Sequence, residues 1–232
     1  MVSLNDQLKK ANHIVFMTGA GISTHSGIPD FRSQNGLYAH HPESTLSHAN
    51  FKNNPQGFYE FTKKYMTHPN AKPNIIHYKM AQFTRKQKAV IITQNADGLH
   101  LKAGADPERL IEFHGNHSRI YCTKCKKQVP LKDYLTSMYH KNCGGILRPD
   151  VVLFDEPIKE ENLLKSILAI KKADLIIIAG TSFVVQPFAS LIQYRNPETP
   201  LIAINKNSIP LPKNSHMITN DAAEEFKKIY SK

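Results

Sequence analysis

The 232-residue chain has no apolar run near the roughly 20 residues that a membrane-spanning helix needs, which argues against membrane insertion. Its first stretch, Met1 to Lys10, is polar and lacks the charged-then-apolar order of a secretory signal, so a cytoplasmic location is expected. Cysteine is scarce: the three present, Cys122, Cys125 and Cys143, fall in one short segment. Three thiols cannot close a disulfide framework, and metal ligation in a reducing compartment suits them better. Acidic residues are outnumbered, nineteen against thirty Lys and Arg, giving a net charge of +11. That surplus favours phosphate-bearing ligands, nucleic acid or anionic surfaces as partners, with a generally basic solvated surface as the bland alternative. Internal repeats and low-complexity tracts are also missing.

What is present suffices for a core. Hydrophobic residues make up 41% of the chain, including 11 Phe and 9 Tyr, and the length fits one domain or one domain with a small insert. Short, β-branched-rich runs at 13–18, 89–94, 109–113, 174–180 and 200–205 are bounded by Gly, Pro or Asn and read as strands buried on both faces. Helices are expected between several of them: from a capping box at Ser3 and Asp6 to about Lys10, over 73–88, over 159–172, and over 221–230 at the end. The alternation predicts an α/β fold, a Rossmann-like, mostly parallel sheet with helices on both faces, with ligands bound past the carboxyl ends of the strands. Two segments break the rhythm. Residues 28–66 read as a long loop that turns helical near Phe51, and 119–148 as a small metal-stapled module too short for its own core. The expected organisation is therefore a single core, 1–232, in which 1–27, 67–118 and 149–232 form the nucleotide-binding domain.

Chemistry-bearing residues cluster where strands end. Gly19-Ala20-Gly21 follows the first strand, and its glycines permit the close backbone approach that a pyrophosphate needs. The third glycine of the dehydrogenase fingerprint is missing, since Thr24 occupies that place; ordinary hydride transfer fits poorly. The stretch continues as GISTHSGIPDFRS, bringing Ser23, Asp30, Phe31 and Arg32 close behind the strand. A second strand ends in Thr93-Gln94-Asn95-Ala96-Asp97-Gly98, with amide and carboxylate side chains suited to ribose hydroxyls and a carboxamide. A third ends in Phe113-His114-Gly115, where an imidazole is well placed as a general base. Any single histidine among twelve is by default a structural or surface residue; the three segments together change that reading.

In this order the segments resemble the sirtuins, the NAD-dependent protein-lysine deacylases, in their patterns GAGxS…GIPDFR, TQNxDGLH and HG. Residues 147–157, LRPDVVLFDEP, are similar to the family's substrate strand, 180–187, GTSFVVQP, to its GTSxxVxP loop, and Ala203-Ile204-Asn205 to its late nucleotide strand. The resemblance covers nearly the whole chain and implies NAD as co-substrate and an acylated-lysine protein or peptide as partner. It implies that Gly19, Ala20, Gly21, Ser23, Asp30, Phe31 and Arg32 hold the pyrophosphate and nicotinamide ribose. Gln94, Asn95 and Asp97 would hold the ribose and carboxamide, and Gly180, Thr181, Ser182 and Asn205 the adenosine half. The acylated peptide would meet His114, Val151, Val152, Phe154, Asp155, Glu156, Val184 and Val185. In the implied mechanism the acyl oxygen displaces nicotinamide from the ribose. His114 then deprotonates a ribose hydroxyl, with Asn95 beside it; the hydroxyl attacks the imidate carbon, and water releases free lysine, so the products are nicotinamide, free lysine and O-acyl-ADP-ribose. A protein mono-ADP-ribosyltransferase of the same family is the alternative, and a non-catalytic binder the third reading.

Cys122-x-x-Cys125 with His140-x-x-Cys143 reads as a tetrahedral zinc set, with His140 where the family usually has Cys. Arg119, Lys124, Lys126, Lys127, Lys132, Lys141 and Arg148 surround it. Nucleic-acid binding is the less favoured account of them, against solvated lysines around an anionic thiolate site. Two departures touch ligand sites: Ala96 replaces a bulky Ile beside nicotinamide, and Asp155 replaces Gly beside the substrate strand. Desuccinylating relatives carry a Tyr-x-x-Arg pair, whereas Tyr59 here precedes Thr62, so neutral acyl groups are expected. Phe51, Phe58, Phe61, Tyr65 and Met66 are read either as acyl-channel lining or as plain core. A monomer is the default expectation.

Overall fold

The computed structural model describes residues 3–229. Ser3 caps the first helix, α1 (Leu4–Lys10), by accepting from the Asp6 amide, as the capping pattern predicts. Strand β1 (Ile14–Thr18) follows, buried along its whole length. The insert after it carries two short helices, α2 (His48–Asn53) and α3 (Pro55–Phe61), capped by Ser47 and Asn54, and α3 continues as a π-helical turn, Thr62–Met66. Helix α4 (Ile75–Arg85) starts at the Asn74 cap and leads into β2 (Ala89–Thr93). The single-turn helix α5 (Leu99–Lys102) and strand β3 (Leu110–Glu112) complete the first half.

The chain then leaves the main sheet. Strands β4 (Gly115–Cys122) and β5 (Gln128–Val129), helix α6 (Leu131–Thr136) and strand β6 (Leu147–Val151) form a separate antiparallel sheet of order β5-β4-β6. It returns through α7 (Glu160–Lys172), β7 (Leu175–Ala179), β8 (Leu201–Asn205), β9 (Ser215–Thr219) and α8 (Ala222–Lys227). The expected final helix thus spans Ala222–Lys227 behind an Asp221 cap, and Tyr230 lies outside the described residues. The main sheet has the order β3-β2-β1-β7-β8-β9, and every pairing in it is parallel. Strand β9 is the element the sequence reading missed. Its burial pattern is intermediate to exposed, as suits an edge, and SHMIT lacks the continuous apolar run that marks the buried strands.

One apolar layer packs α1, α4 and α8 against the sheet, through Leu8, Ile76, Met80, Phe226 and the inward side chains of β1, β2, β7 and β8. The other layer joins Met17, Ile92, Ile176 and Ile178 to α7 and Phe188. Strands covered on both faces explain why the sequence shows apolar runs rather than alternation. Strand order reverses at the β1/β7 pair, since β2 and β3 lie on one side and β8 and β9 on the other. Such a switch point leaves a crevice at the carboxyl ends of the strands.

Candidate active site

A cleft of about 950 Å³ opens at those ends, between the main sheet, the insert and β6. Each loop on it follows a strand. Gly19 follows β1 but does not line the cleft; it packs against the Gly180 carbonyl and the Thr181 side chain instead, and a Cβ there would come within 2.7 Å of the Thr181 Cβ. Gly21 approaches the same turn, its amide donating to the Gly180 carbonyl at 2.8 Å, and a Cβ would sit 2.8 Å from that oxygen. These glycines let two strand-end loops touch and leave the backbone beside Ala20 and Gly21 open to the cleft.

Beneath that backbone lies a polar cluster that joins the first two motifs. The Ser23 hydroxyl donates to Asp97 Oδ2 at 2.6 Å and accepts from Asn95 Nδ2 at 3.1 Å. Asn95 is held in turn by Thr93 Oγ1, and Asp97 by the Leu99 amide. His77 lies 3.4 Å from Ser23 Oγ and packs edge-on against His100. Burial brings His77 down to about 4, against a smaller opposing pull from Asp97, and drives His100 well below 6.5. Both imidazoles are therefore neutral at pH 7. Sequence reading missed His77, because its place on α4 looks like one more core position; only the packing of α4 under the Ser23 turn brings it to the site.

Thr181 donates to Gln94 Oε1 at 2.9 Å, tying the loop after β7 to the loop after β2. The backbone carbonyl of Gln94 faces His114 Nδ1 at 3.3 Å. A carbonyl can only accept, so Nδ1 carries the proton and Nε2 keeps its lone pair. Burial lowers the His114 pKa, with the Gln94 contact pulling the other way, so the ring is neutral at working pH. Next to it, Gly115 has φ 89°, and a side chain there would collide with the Asp150 carbonyl. That left-handed residue lets β4 start immediately after His114 and pair with β6.

The rest of the cleft follows the sequence reading in most respects. Asp30, Phe31 and Arg32 line it from the insert, Val151, Val152, Phe154, Asp155 and Glu156 from the strand end after β6, and Ser182, Val184 and Val185 from the loop after β7. Asn205 lines the far end, together with Lys206, Asn207 and Ser208, which the sequence reading missed although they directly follow a strand. Arg32 is paired with Glu43 at 2.7 Å and lies over the Tyr38 ring. Glu156 is committed elsewhere. Despite burial its carboxyl falls to about 2, because Arg148, the Leu153 amide and His48 all bond to it. It braces the segment after β6 more than it offers charge to a ligand.

One specificity reading moves. Tyr59 is buried and donates to the Tyr134 carbonyl, while Thr62 is fully buried and bonds back to Phe58. Neither lines the cleft, so the contrast drawn between Tyr59 and Thr62 concerns positions that face the core. Of the helical insert's apolar residues, Tyr65 and Met66 line the cleft, whereas Phe58 and Phe61 are core. Ala96 lines it as well; its carbonyl accepts from the His117 amide at 2.8 Å. The His117 side chain is buried, its Nδ1 has no hydrogen-bond partner among the described residues, and burial, with His68 adding to it, brings its pKa to about 4.

In the small sheet, Cys122 ends β4, Cys125 follows in a tight turn, and His140 and Cys143 come after α6. Their ligand atoms all lie within 4.8 Å of one another. His140 Nδ1 faces Cys125 and Cys143 sulfurs at 3.3 and 3.1 Å, and Cys122 and Cys143 sulfurs are 3.5 Å apart. Burial pushes the Cys122 thiol up, but the amides of Cys125 and Lys124 outweigh it and bring it to about 6. Four converging donors, three thiols and an imidazole, fit a closed tetrahedral zinc site. The surrounding positive charge is smaller than the sequence suggests. Arg119 pairs with Glu112 and Asp150, and buried Arg148 with Glu156.

The Sir2 family model matches residues 19–187, the span from the first glycine turn to the loop after β7. The chain belongs to the Sir2 family. A relative from Listeria monocytogenes, named NAD-dependent protein deacetylase, is 50% identical over 99% of this chain and all of its own length. One of the same name from Lactiplantibacillus plantarum is 48% identical over 94% of both chains. A solved Sir2 structure with a deacetylated p53 peptide and 3′-O-acetyl ADP ribose superposes with TM-score 0.89 at 32% identity, covering 96% of this chain and 94% of that one. Another, of Sir2 with p53 peptide and NAD+, gives 0.83 at 32% identity with the same coverage. The α/β sheet with its small metal module is thus the Sir2 fold, and none of the described helices is long and apolar enough to cross a membrane.

Proposed function

We propose that this Sir2-family chain is an NAD-dependent protein-lysine deacetylase acting on neutral acyl groups, with zinc as a structural metal. The observation that carries the reading is the link between His114 and Gln94: the candidate base hangs from the same residue whose side chain joins two nucleotide-facing loops. When bound, NAD supplies a nicotinamide–ribose bond whose cleavage drives acyl transfer. Gly21, Ser23, Asn95 and Asp97 are assigned to the nicotinamide ribose and pyrophosphate, and Thr181, Ser182 and Asn205 to the adenosine half. Gly19 supports them from behind.

His114 holds a free lone pair on Nε2 inside a mostly apolar cleft, ready to take a hydroxyl proton. Asn95, fixed by Ser23 and Thr93, orients hydroxyls beside it. Phe31 and Tyr38 close the cleft against water from the insert side, their rings 5.2 Å apart. Tyr65 and Met66 are assigned to the acyl group. They bring no cation, so a carboxylate-bearing acyl chain would lose its hydration without gaining a partner. The unlinked thiols around one metal position support a reducing, cytoplasmic setting. The test is mass spectrometry of an acetyl-lysine peptide with and without NAD. Deacetylation that requires NAD supports the reading, whereas ADP-ribose attached to a protein side chain would favour the transferase.

A further inference from the structure

Residues 151–157 separate the main cleft from a second, shallower cavity of about 380 Å³, lined on its far side by His48, Tyr121, Arg148, Asp150 and Lys159. Val151, Val152, Asp155, Glu156 and Pro157 line both cavities and form their shared lip. A peptide whose acyl-lysine enters the cleft must cross or follow this lip, because extended neighbours lie only about 3.3 Å further along per residue.

Charges on the lip are unequally used. Glu156 is held by Arg148 and His48, and Asp150 by Lys159 and Arg119. Elsewhere on the cleft Asp97 is held by Ser23, and Asp221 by His25 and Lys206. Asp155 is exposed and has no ion pair or side-chain hydrogen bond among the described residues. Its backbone sits at φ 70°, a conformation glycine adopts at lower cost. The chain thus keeps an uncompensated carboxylate at the mouth of a protein of net charge +11, beside a cavity with room for a long side chain.

We propose that Asp155 and the side cavity select substrates carrying Arg or Lys next to the acylated lysine. This rests on the deacylase reading. A basic side chain entering the cavity meets the one carboxylate there that no other group neutralises, and its stem lies along Tyr121. An acidic side chain meets like charge and gains nothing. The test compares acetyl-lysine peptides with Ala, Arg or Glu placed in turn at each flanking position, using wild type and Asp155→Asn. Asn tolerates the left-handed backbone, so the lip keeps its shape.

The readout is the ratio of kcat/KM for the Arg and Ala peptides within each enzyme, so that a general loss of activity cancels. At low salt the wild type should favour Arg about 3- to 5-fold at one flanking position, through KM. High salt should erode that preference, and Asp155→Asn should bring the ratio to about one. An equal preference in both enzymes, or none in the wild type, overturns the proposal. Absence of turnover with every peptide would instead sink the deacylase reading itself.

Discussion

His114 is poised by one hydrogen bond and one burial. Its Nδ1 is committed to the Gln94 carbonyl, and burial keeps the ring neutral below its ordinary pKa of 6.5. Two consequences follow at this scale. His114→Ala should keep the fold and NAD affinity while lowering O-acetyl-ADP-ribose formation by at least about 10²-fold; near wild-type turnover would remove it as the base. In the wild type the acidic arm of kcat/KM against pH should fall below pH 6.5, because the folded-state pKa is depressed and the neutral base survives into more acid solution. Thr62→Arg tests the corrected specificity reading. Thr62 is fully buried, so an arginine there should destabilise by about 3 kcal/mol or more and confer no succinyl-lysine activity. A stable variant that gains desuccinylation, seen by thermal melting and a paired peptide assay, would show that this position does face the acyl group.

Strand β4 joins the metal site to the loop that carries His114, the proposed base. It begins at Gly115, directly after His114, ends at Cys122 of the metal quartet, and pairs with β6 at both ends, around an irregularity between Asn116 and Ile120. Purified protein should hold about one zinc per chain by elemental analysis. Stripping the metal should raise hydrogen exchange over 115–122 and 147–151 while leaving β1 and β7 protected; protection unchanged in all four strands would separate the metal from β6. The same elements show what a sequence discloses. Strands β1, β2, β7 and β8 were legible because burial on both faces demands apolar runs, and the metal quartet because its ligands come in close-spaced pairs. Strand β9 was not, since an edge carries little apolar signal. His77 was not, because helical spacing tells which face is buried but not that it lies under Ser23. The facing of Tyr59 and Thr62 was misread for a related reason: spacing along the insert fixes a helix, whereas its rotation against Tyr134 depends on packing with a module distant in sequence.

At the scale of the whole molecule, the cleft is lined and underlain by imidazoles that must stay neutral. His77 and His117 are held near 4 by burial, against an ordinary 6.5. Their contribution to stability is complete above pH 6.5 and is lost as pH falls toward 4, because the unfolded chain binds those protons first. Stability measured by denaturant titration should start to drop near pH 6.5, by roughly 2 kcal/mol per histidine at pH 5, before the carboxylates of Glu156 and Asp221, held near 2, begin to count. A profile flat from pH 7 to 5 would contradict this. The central claim is that one cleft couples NAD cleavage to removal of an acyl group from lysine. Its most direct test is quantitative mass spectrometry of a single incubation of the protein with NAD and an acetyl-lysine peptide. The account predicts nicotinamide, deacetylated peptide and O-acetyl-ADP-ribose in equal amounts. Nicotinamide release with the acetyl-lysine left intact, or deacetylation giving free acetate without consumption of NAD, would contradict it.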